Sequence, residues 1–163
     1  MYSSINVSIL ATFVLASLLF SLPRTVIAIL ELDSPKLLKN ACNGYTKGLI
    51  NATRTQIYIE EKLKGNIQEW RRALNQCHNL YDHIIGVYKG ALIHVEKQKS
   101  YDVAGAEFSM AANNAEYCEN WLHISGVIDD DISSGNNIIK YLSLSGYNVV
   151  NDLMITNWVT KRK

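Results

Sequence analysis

The chain has 163 residues, of which 48% are hydrophobic and 19% are charged, and its formal net charge is +1. That length predicts one domain with one core, and so balanced a charge does not favour nucleic acid or an acidic substrate as the partner. The chain contains two prolines and long apolar patterns with spacings of three and four residues, which together indicate an all-helical protein.

The N-terminal segment is typical of a secretory signal. Residues 9–20 form an uninterrupted apolar run, and Val26 and Ala28 provide a small-residue ending after it. We therefore predict a signal peptide over residues 1–28, cleaved near Ala28, and a mature domain over residues 29–163. The folded core of that domain is expected over residues 34–155.

An uncleaved membrane anchor is the alternative interpretation of this segment, because the residues before the apolar run contain no Lys or Arg. The run from residue 7 to residue 22 is nevertheless short, since a membrane-spanning helix needs roughly 17 to 25 residues. We expect secretion into an extracellular, oxidising compartment.

Secretion would determine the chemical state of the cysteines and of one asparagine. Three cysteines in an oxidising compartment predict one disulfide and one unpaired thiol. Asn51 begins an Asn-Ala-Thr sequence, which is an acceptor for N-linked glycosylation.

The first helix is predicted from Ser34, a good N-cap, with Pro35 at the first helical position, to about Lys64. Its apolar stripe comprises Leu38, Ala41, Tyr45, Leu49, Ala52, Ile59 and Leu63. Asn51 falls on the opposite side from this stripe, so a glycan there is expected to point into solvent. Gly65 and Asn66 break the helix.

The second helix is predicted over residues 67–98, and the third begins after a short turn with Ser100 or Asp102 as its N-cap. The stripe of the second helix includes Trp70, Ala73, Leu74, Cys77, Leu80, Tyr81, Ile84, Tyr88, Ala91, Leu92 and Val95. The stripe of the third comprises Ala104, Phe108, Ala111, Ala115, Cys118 and Leu122.

Residues 125–137 are rich in Gly, Ser and Asp and are predicted to form a polar loop. A fourth helix follows, with the stripe Ile139, Leu142, Gly146, Val149 and Leu153. Because short connections force neighbouring helices to be antiparallel, the four patterns predict an up-and-down four-helix bundle.

Cys77 and Cys118 both lie on apolar stripes and toward the same end of the predicted bundle. A bridge between them is therefore geometrically reasonable, and closing a loop of this length would stabilise the fold by about 4 kcal/mol on the chain-entropy argument. Cys42 would then be unpaired, either as a small buried hydrophobe or as half of an intermolecular bridge.

Catalysis, a cofactor and a metal site are not predicted. His78, His83, His94 and His123 lack the spacing that places two histidines on one helix face, as zinc enzymes require. Residues 129–131 are three aspartates but lack the alternating ligands of a calcium loop. The chain also has neither a Gly-rich phosphate loop nor a nucleophile elbow, so a non-enzymatic binding module is the interpretation from composition and motifs.

Two segments, ALNQCHNLYD at residues 73–82 and YDVAGAEFSMAANNAEYCENW at residues 101–121, resemble the plant invertase and pectin methylesterase inhibitor family. The matching residues are Ala73, Leu74, Cys77, Tyr81, Tyr101, Ala104, Ser109, Ala111, Ala112, Cys118 and Glu119. The resemblance implies a non-catalytic inhibitor that is secreted into the plant apoplast and cell wall, with a disulfide between Cys77 and Cys118. It also implies one-to-one blocking of the active-site cleft of a carbohydrate-active enzyme.

Departures from the family pattern affect the expected target. About six residues separate Ala28 from Pro35, so the small N-terminal helical hairpin of the family is missing. The "PKF" segment of the invertase-inhibiting branch is replaced by Tyr101, Asp102 and Val103. Pectin methylesterase is therefore the expected target, and acid invertase is the alternative.

The residues expected to contact the target come from the second and third helices and the turn between them: Asn79, His83, Ser100, Tyr101, Asp102, Tyr117 and Asn120. Ser100 and Asn120 stand where the family usually has acids, and loss of charge at a wet interface lowers the association rate first. The competing interpretation of these residues is an ordinary solvated helix face. A non-inhibitory secreted bundle, similar to a pollen allergen, is the further alternative for the whole chain.

Overall fold

The computed structural model describes residues 24–65 and 68–161, and the described part of the chain is a four-helix bundle. The helices are α1 (Arg24–Lys64), α2 (Arg71–Ile93), α3 (Tyr101–Ile124) and α4 (Asp130–Thr160), and a π-helical turn, His94–Gln98, extends α2. Helices α1 and α3 each pack against both α2 and α4, so the four form an antiparallel square. This confirms the predicted all-α bundle.

Helix α1 begins earlier than predicted. It starts at Arg24 and continues through Ser34 and Pro35, which were expected to cap it. A Ser-Pro pair is a strong start signal, but the Ile, Ala, Leu and Glu residues before it are also compatible with a helix, and an internal proline removes one backbone hydrogen bond. Residues 1–23 of the predicted signal peptide lie outside the described residues, and cleavage near Ala28 stays a prediction.

The predicted polar loop over residues 125–137 is wrong in its second half, because α4 already begins at Asp130. The extended backbone of Asp129 makes it the N-cap, and its side chain accepts a hydrogen bond from the Ile132 amide at 3.1 Å. Asp130 and Asp131 lie in the first turn, where negative charge is favourable for a helix. The acidic run is thus a helix start, and the true connection spans residues 125–129.

Three aromatic rings fill the centre of the bundle. Tyr45 of α1 stacks on Phe108 of α3 with ring centroids 4.4 Å apart, and Tyr88 of α2 meets the same Phe108 edge-on at 5.8 Å. Gly146 brings the α4 backbone against the Tyr45 and Phe108 rings. The central layer therefore joins all four helices.

Helices α2 and α3 are joined by the disulfide between Cys77 and Cys118, whose Cα atoms are 4.7 Å apart. This confirms the predicted pairing. Ala111 and Ala115 are completely buried beside the bridge, and small side chains allow the two helices to approach closely. Cys42 is a free, half-buried cysteine packed against the core, and burial together with a hydrogen bond to Glu96 raises its pKa to about 11.

Asn51 does not lie on the outer side of α1 as predicted. It is half-buried and lines a groove between α1 and α4, and its Oδ1 atom is buried without a hydrogen-bond partner. The prediction placed the core on the Leu38–Leu63 stripe alone, whereas α4 also packs on the flank of α1 that carries Thr55. Glycosylation of Asn51 stays a prediction.

Candidate partner-binding surface

The seven residues predicted to contact a partner all lie on α2, α3 or the turn that joins them, but they form two groups. Asn79, His83, Tyr117 and Asn120 are exposed and lie in the half of the helix pair that contains the disulfide. Ser100, Tyr101 and Asp102 lie at the opposite end. Tyr101 and Tyr117 are separated by about 24 Å along α3, at about 1.5 Å per residue. The structure therefore places the two groups at opposite ends of the α2–α3 pair.

The turn that carries Ser100, Tyr101 and Asp102 contains one residue in the left-handed backbone conformation. Lys99 adopts φ 56°, and the following Ser100 amide donates to the His94 carbonyl at 3.0 Å, which closes the end of the π-helical turn. Ser100 occupies the predicted N-cap position of α3, but its hydroxyl makes no capping hydrogen bond. Asp102 is exposed in the first turn of α3.

Tyr101 is half-buried and packs against the core, and this burial raises its pKa. Part of its ring therefore anchors the turn, while the rest remains available to a partner. This dual environment distinguishes Tyr101 from the exposed Asp102 beside it.

Sequence reasoning missed an apolar line on the outer surface of α3, which we name the α3 outer stripe. It consists of Val103, Met110, Tyr117 and Ile124, which are 41%, 46%, 55% and 77% exposed. Side chains seven residues apart lie on the same side of a helix, after nearly two full turns. The spacing was visible in the sequence, but it lies beside the stronger buried stripe that contains Phe108 and Leu122.

Polar and charged contacts border the α3 outer stripe on both sides. Toward α2, the Arg72 guanidinium lies 5.4 Å from the centre of the Trp121 ring, and His94 Nδ1 lies 2.8 Å from Glu107 Oε2. Toward α4, the Lys140 ammonium lies 3.4 Å from Glu116. An apolar centre with a polar rim is the usual anatomy of a protein–protein interface.

The described residues contain neither a metal-holding cluster nor a membrane-spanning helix. Across residues 24–65 and 68–161, no group of three or more His, Cys, Asp and Glu side chains is placed to hold a metal ion. The same part of the chain contains no helix that is long and apolar enough to cross a membrane. The described part is thus a helical bundle whose α2–α3 side carries the candidate contact residues.

No protein-family model matches the chain, and none of the curated proteins matches it. Among solved structures, it is similar to the crystal structure of a pectin methylesterase inhibitor from Arabidopsis thaliana, with a TM-score of 0.67. The match covers 71% of this chain and 76% of that chain at 19% sequence identity. The chain therefore has the fold of that inhibitor, as the resemblance of α2 and α3 predicted.

Proposed function

We propose that the chain is a secreted protein inhibitor of pectin methylesterase, which covers the mouth of the enzyme's active-site cleft in a one-to-one complex. The observation that carries this proposal is the fold shared with a pectin methylesterase inhibitor over 71% of the chain. The sequence resemblance also supports it, since the residues that match the inhibitor family lie on α2 and α3, the helices that carry the candidate contact residues. The mechanism needs no chemistry from the inhibitor.

The binding surface in this proposal is the outer face of the α2–α3 pair. The α3 outer stripe runs about 31 Å from Val103 to Ile124, at about 1.5 Å per residue. That length is compatible with a standard interface of about 800 Å² on each partner. Tyr117 lies within the stripe, and exposed tyrosines are frequent anchors of binding energy.

Rigidity supports an inhibitory role for this face. The Cys77–Cys118 bridge fixes α2 against α3, so little conformational freedom remains to be lost when a partner binds. Among the seven candidate contact residues, Asp102 is the one carboxylate, and none is Lys or Arg, so we expect affinity to depend on apolar contacts more than on charge. Binding should therefore vary little with ionic strength.

The test is a titration of the purified secreted protein against a plant pectin methylesterase and an acid invertase, at mildly acidic pH. We expect pectin methylesterase activity to fall linearly to an equivalence point of one inhibitor per enzyme, with invertase unaffected. Inhibition of invertase alone would assign the alternative target. An absence of effect on both enzymes would contradict inhibition and favour the non-inhibitory secreted bundle.

Secretion is tested separately by N-terminal sequencing of the protein recovered from the medium. The proposal predicts a mature N-terminus near Ile29. Recovery of the chain in the membrane fraction with its N-terminus intact would contradict secretion and support the anchored alternative.

A further inference from the structure

A groove of about 430 Å³ runs between α1 and α4, on the side of the bundle opposite the α2–α3 face. Its walls include Asn51, Thr55 and Tyr58 from α1 and Ser134, Gly135 and Ile138 from α4. Shallower concavities continue from it in two directions, one toward Leu49 and Ile50 and the other toward Asn137 and Tyr141. The first shares Arg54 and Ile57 with the groove and the second shares Ser134 and Ile138 with it, so each adjoins the groove; we name the three together the track.

The floor of the groove is set by a close approach of the two helices. Gly135 of α4 faces Thr55 of α1 so closely that a Cβ atom on Gly135 would clash with the Thr55 hydroxyl oxygen. Longer side chains on both helices stand beside this contact and form the walls. The groove is thus a consequence of the packing in the described part of the chain.

The sequon at Asn51 lies inside this groove. The carboxamide of Asn51 is planar, and its oxygen is buried without a hydrogen-bond partner. The amide nitrogen, which is the atom that takes a glycan, is therefore directed away from that buried side. A glycan attached there would begin at the groove wall.

The track presents the two kinds of surface that a sugar chain requires. Tyr141 is 72% exposed and offers an aromatic face on which sugar C–H groups can pack, in the concavity that Ile138 also lines. Ile57, on the α1 side of the groove, is exposed as well. Asn137, Ser134 and Arg54 supply amide, hydroxyl and guanidinium groups that hydrogen-bond to sugar hydroxyls. The chemistry of the track matches a neutral oligosaccharide.

We propose that an N-linked glycan on Asn51 lies along the α1–α4 groove and covers its exposed apolar side chains. Covalent attachment keeps the sugar chain at high effective concentration beside the track, so weak contacts are sufficient to hold it there. The inference rests on the proposed secretion of the chain and is independent of the enzyme target. It implies that the α1–α4 side is closed to protein partners, which leaves the α2–α3 face open.

The experiment uses the full chain secreted from a eukaryotic host, with intact mass measured before and after enzymatic removal of N-glycans. T53A abolishes the sequon while keeping Asn51, and the exposed Thr53 hydroxyl donates a hydrogen bond to the Leu49 carbonyl of its own helix. The matched control, T53A/Q98N, moves the sequon to the exposed turn between α2 and α3, because Lys99 and Ser100 complete it. Hydroxyl-radical footprinting then reports the accessibility of Tyr141, with Tyr117 as the internal reference.

We expect Tyr141 to be oxidised at least about twofold more slowly in the wild type than in T53A or T53A/Q98N, because a sugar on one ring face covers half of the ring. The rate at Tyr117 should be the same in the wild type and T53A. A wild-type mass without glycan would overturn the proposal. So would a glycosylated wild type whose Tyr141 is oxidised as fast as in T53A. Neither result bears on inhibition of pectin methylesterase.

Discussion

Helices α3 and α4 are fixed to the rest of the bundle by different kinds of interaction. Helix α3 is bridged covalently to α2 through Cys77 and Cys118. Helix α4 packs through buried apolar side chains and also through buried polar groups. At the centre of the polar groups lies Asn136, which accepts a hydrogen bond from the Tyr81 hydroxyl at 2.9 Å and donates to Glu119 at 2.7 Å. A disulfide acts largely by restricting the unfolded chain, whereas a buried polar network depends on the native geometry of its partners. The two helices should therefore respond differently to substitution.

The largest effect is expected from removing the bridge. In C77A/C118A, loss of the 41-residue loop closure should lower the free energy of unfolding by about 4 kcal/mol. Urea denaturation followed by circular dichroism measures this change. C42A is the control, because Cys42 is not in a disulfide, and it should lower the free energy of unfolding far less. Equal urea midpoints for C77A/C118A and the wild type would show that the bridge does not hold α3.

Breaking the polar network at Asn136 should have the next largest effect. N136A leaves the Tyr81 hydroxyl without its acceptor and removes one donor from the Glu119 carboxylate, which should destabilise the fold by about 3 kcal/mol. The matched control is N137A, the same change at the neighbouring exposed residue, where we expect less than about 0.5 kcal/mol. Similar losses in both variants would contradict a specific role for the network.

Two glycine substitutions test the close packing of the central layer. A Cβ atom on Gly146 would lie 3.0 Å from the Tyr45 ring and 3.1 Å from the Phe108 ring, so G146A should destabilise the fold by about 1 to 2 kcal/mol. A Cβ atom on Gly44 would meet nothing within 4 Å, so G44A should stabilise α1 by up to about 1 kcal/mol. Thermal melts should shift in opposite directions, and shifts of the same sign would contradict this packing.

Buried tyrosines make the bundle sensitive to alkali. Burial raises the pKa of Tyr88 to about 12, and it raises the pKa values of Tyr45 and Tyr81 further. These pKa values are above the ordinary tyrosine value of about 10. The protonated buried tyrosines therefore stabilise the fold fully below about pH 10, and this stabilisation is lost as pH rises through about 12. Exposed tyrosines such as Tyr141 can ionise without unfolding, so we expect a second phase of the absorbance change at 295 nm, from the buried tyrosines, to coincide with the loss of circular dichroism. Ionisation of all tyrosines with full helicity retained would contradict the burial.

Much of the α2–α3 pair could be predicted from the sequence, because its buried stripe and its two cysteines are local patterns. The start of α4 could not be predicted in the same way. Asp129, Ser133 and Asn136 have the composition of a loop. Asp129 caps α4 through the local Ile132 amide, whereas the hydrogen bonds of Ser133 and Asn136 depend on Glu119 of α3. Polar residues that are satisfied within a fold cannot be told from solvated ones by composition alone.

The candidate surface, like the fold, could be predicted from the sequence only in part. The sequence indicated which helices carry it and named individual residues, and their contacts with a partner stay predictions. The α3 outer stripe was missed because α3 carries two apolar lines, and deciding which of them is buried requires the positions of α2 and α4. The side on which Asn51 lies was missed for the same reason, since it depends on which flank of α1 is covered.

The most direct test of the central claim compares the two opposite faces of the bundle in binding to pectin methylesterase. M110D/Y117D places charges on the α3 outer stripe, and I57D/Y141D places the same charges on the α1–α4 side; all four side chains are exposed, so the fold should persist in both variants. We expect the inhibition constant to rise at least about thirtyfold for M110D/Y117D, as for the loss of an interface hot spot, and less than about threefold for I57D/Y141D. An unchanged constant for M110D/Y117D, or an equal loss in both variants, would contradict the assignment of the α2–α3 face.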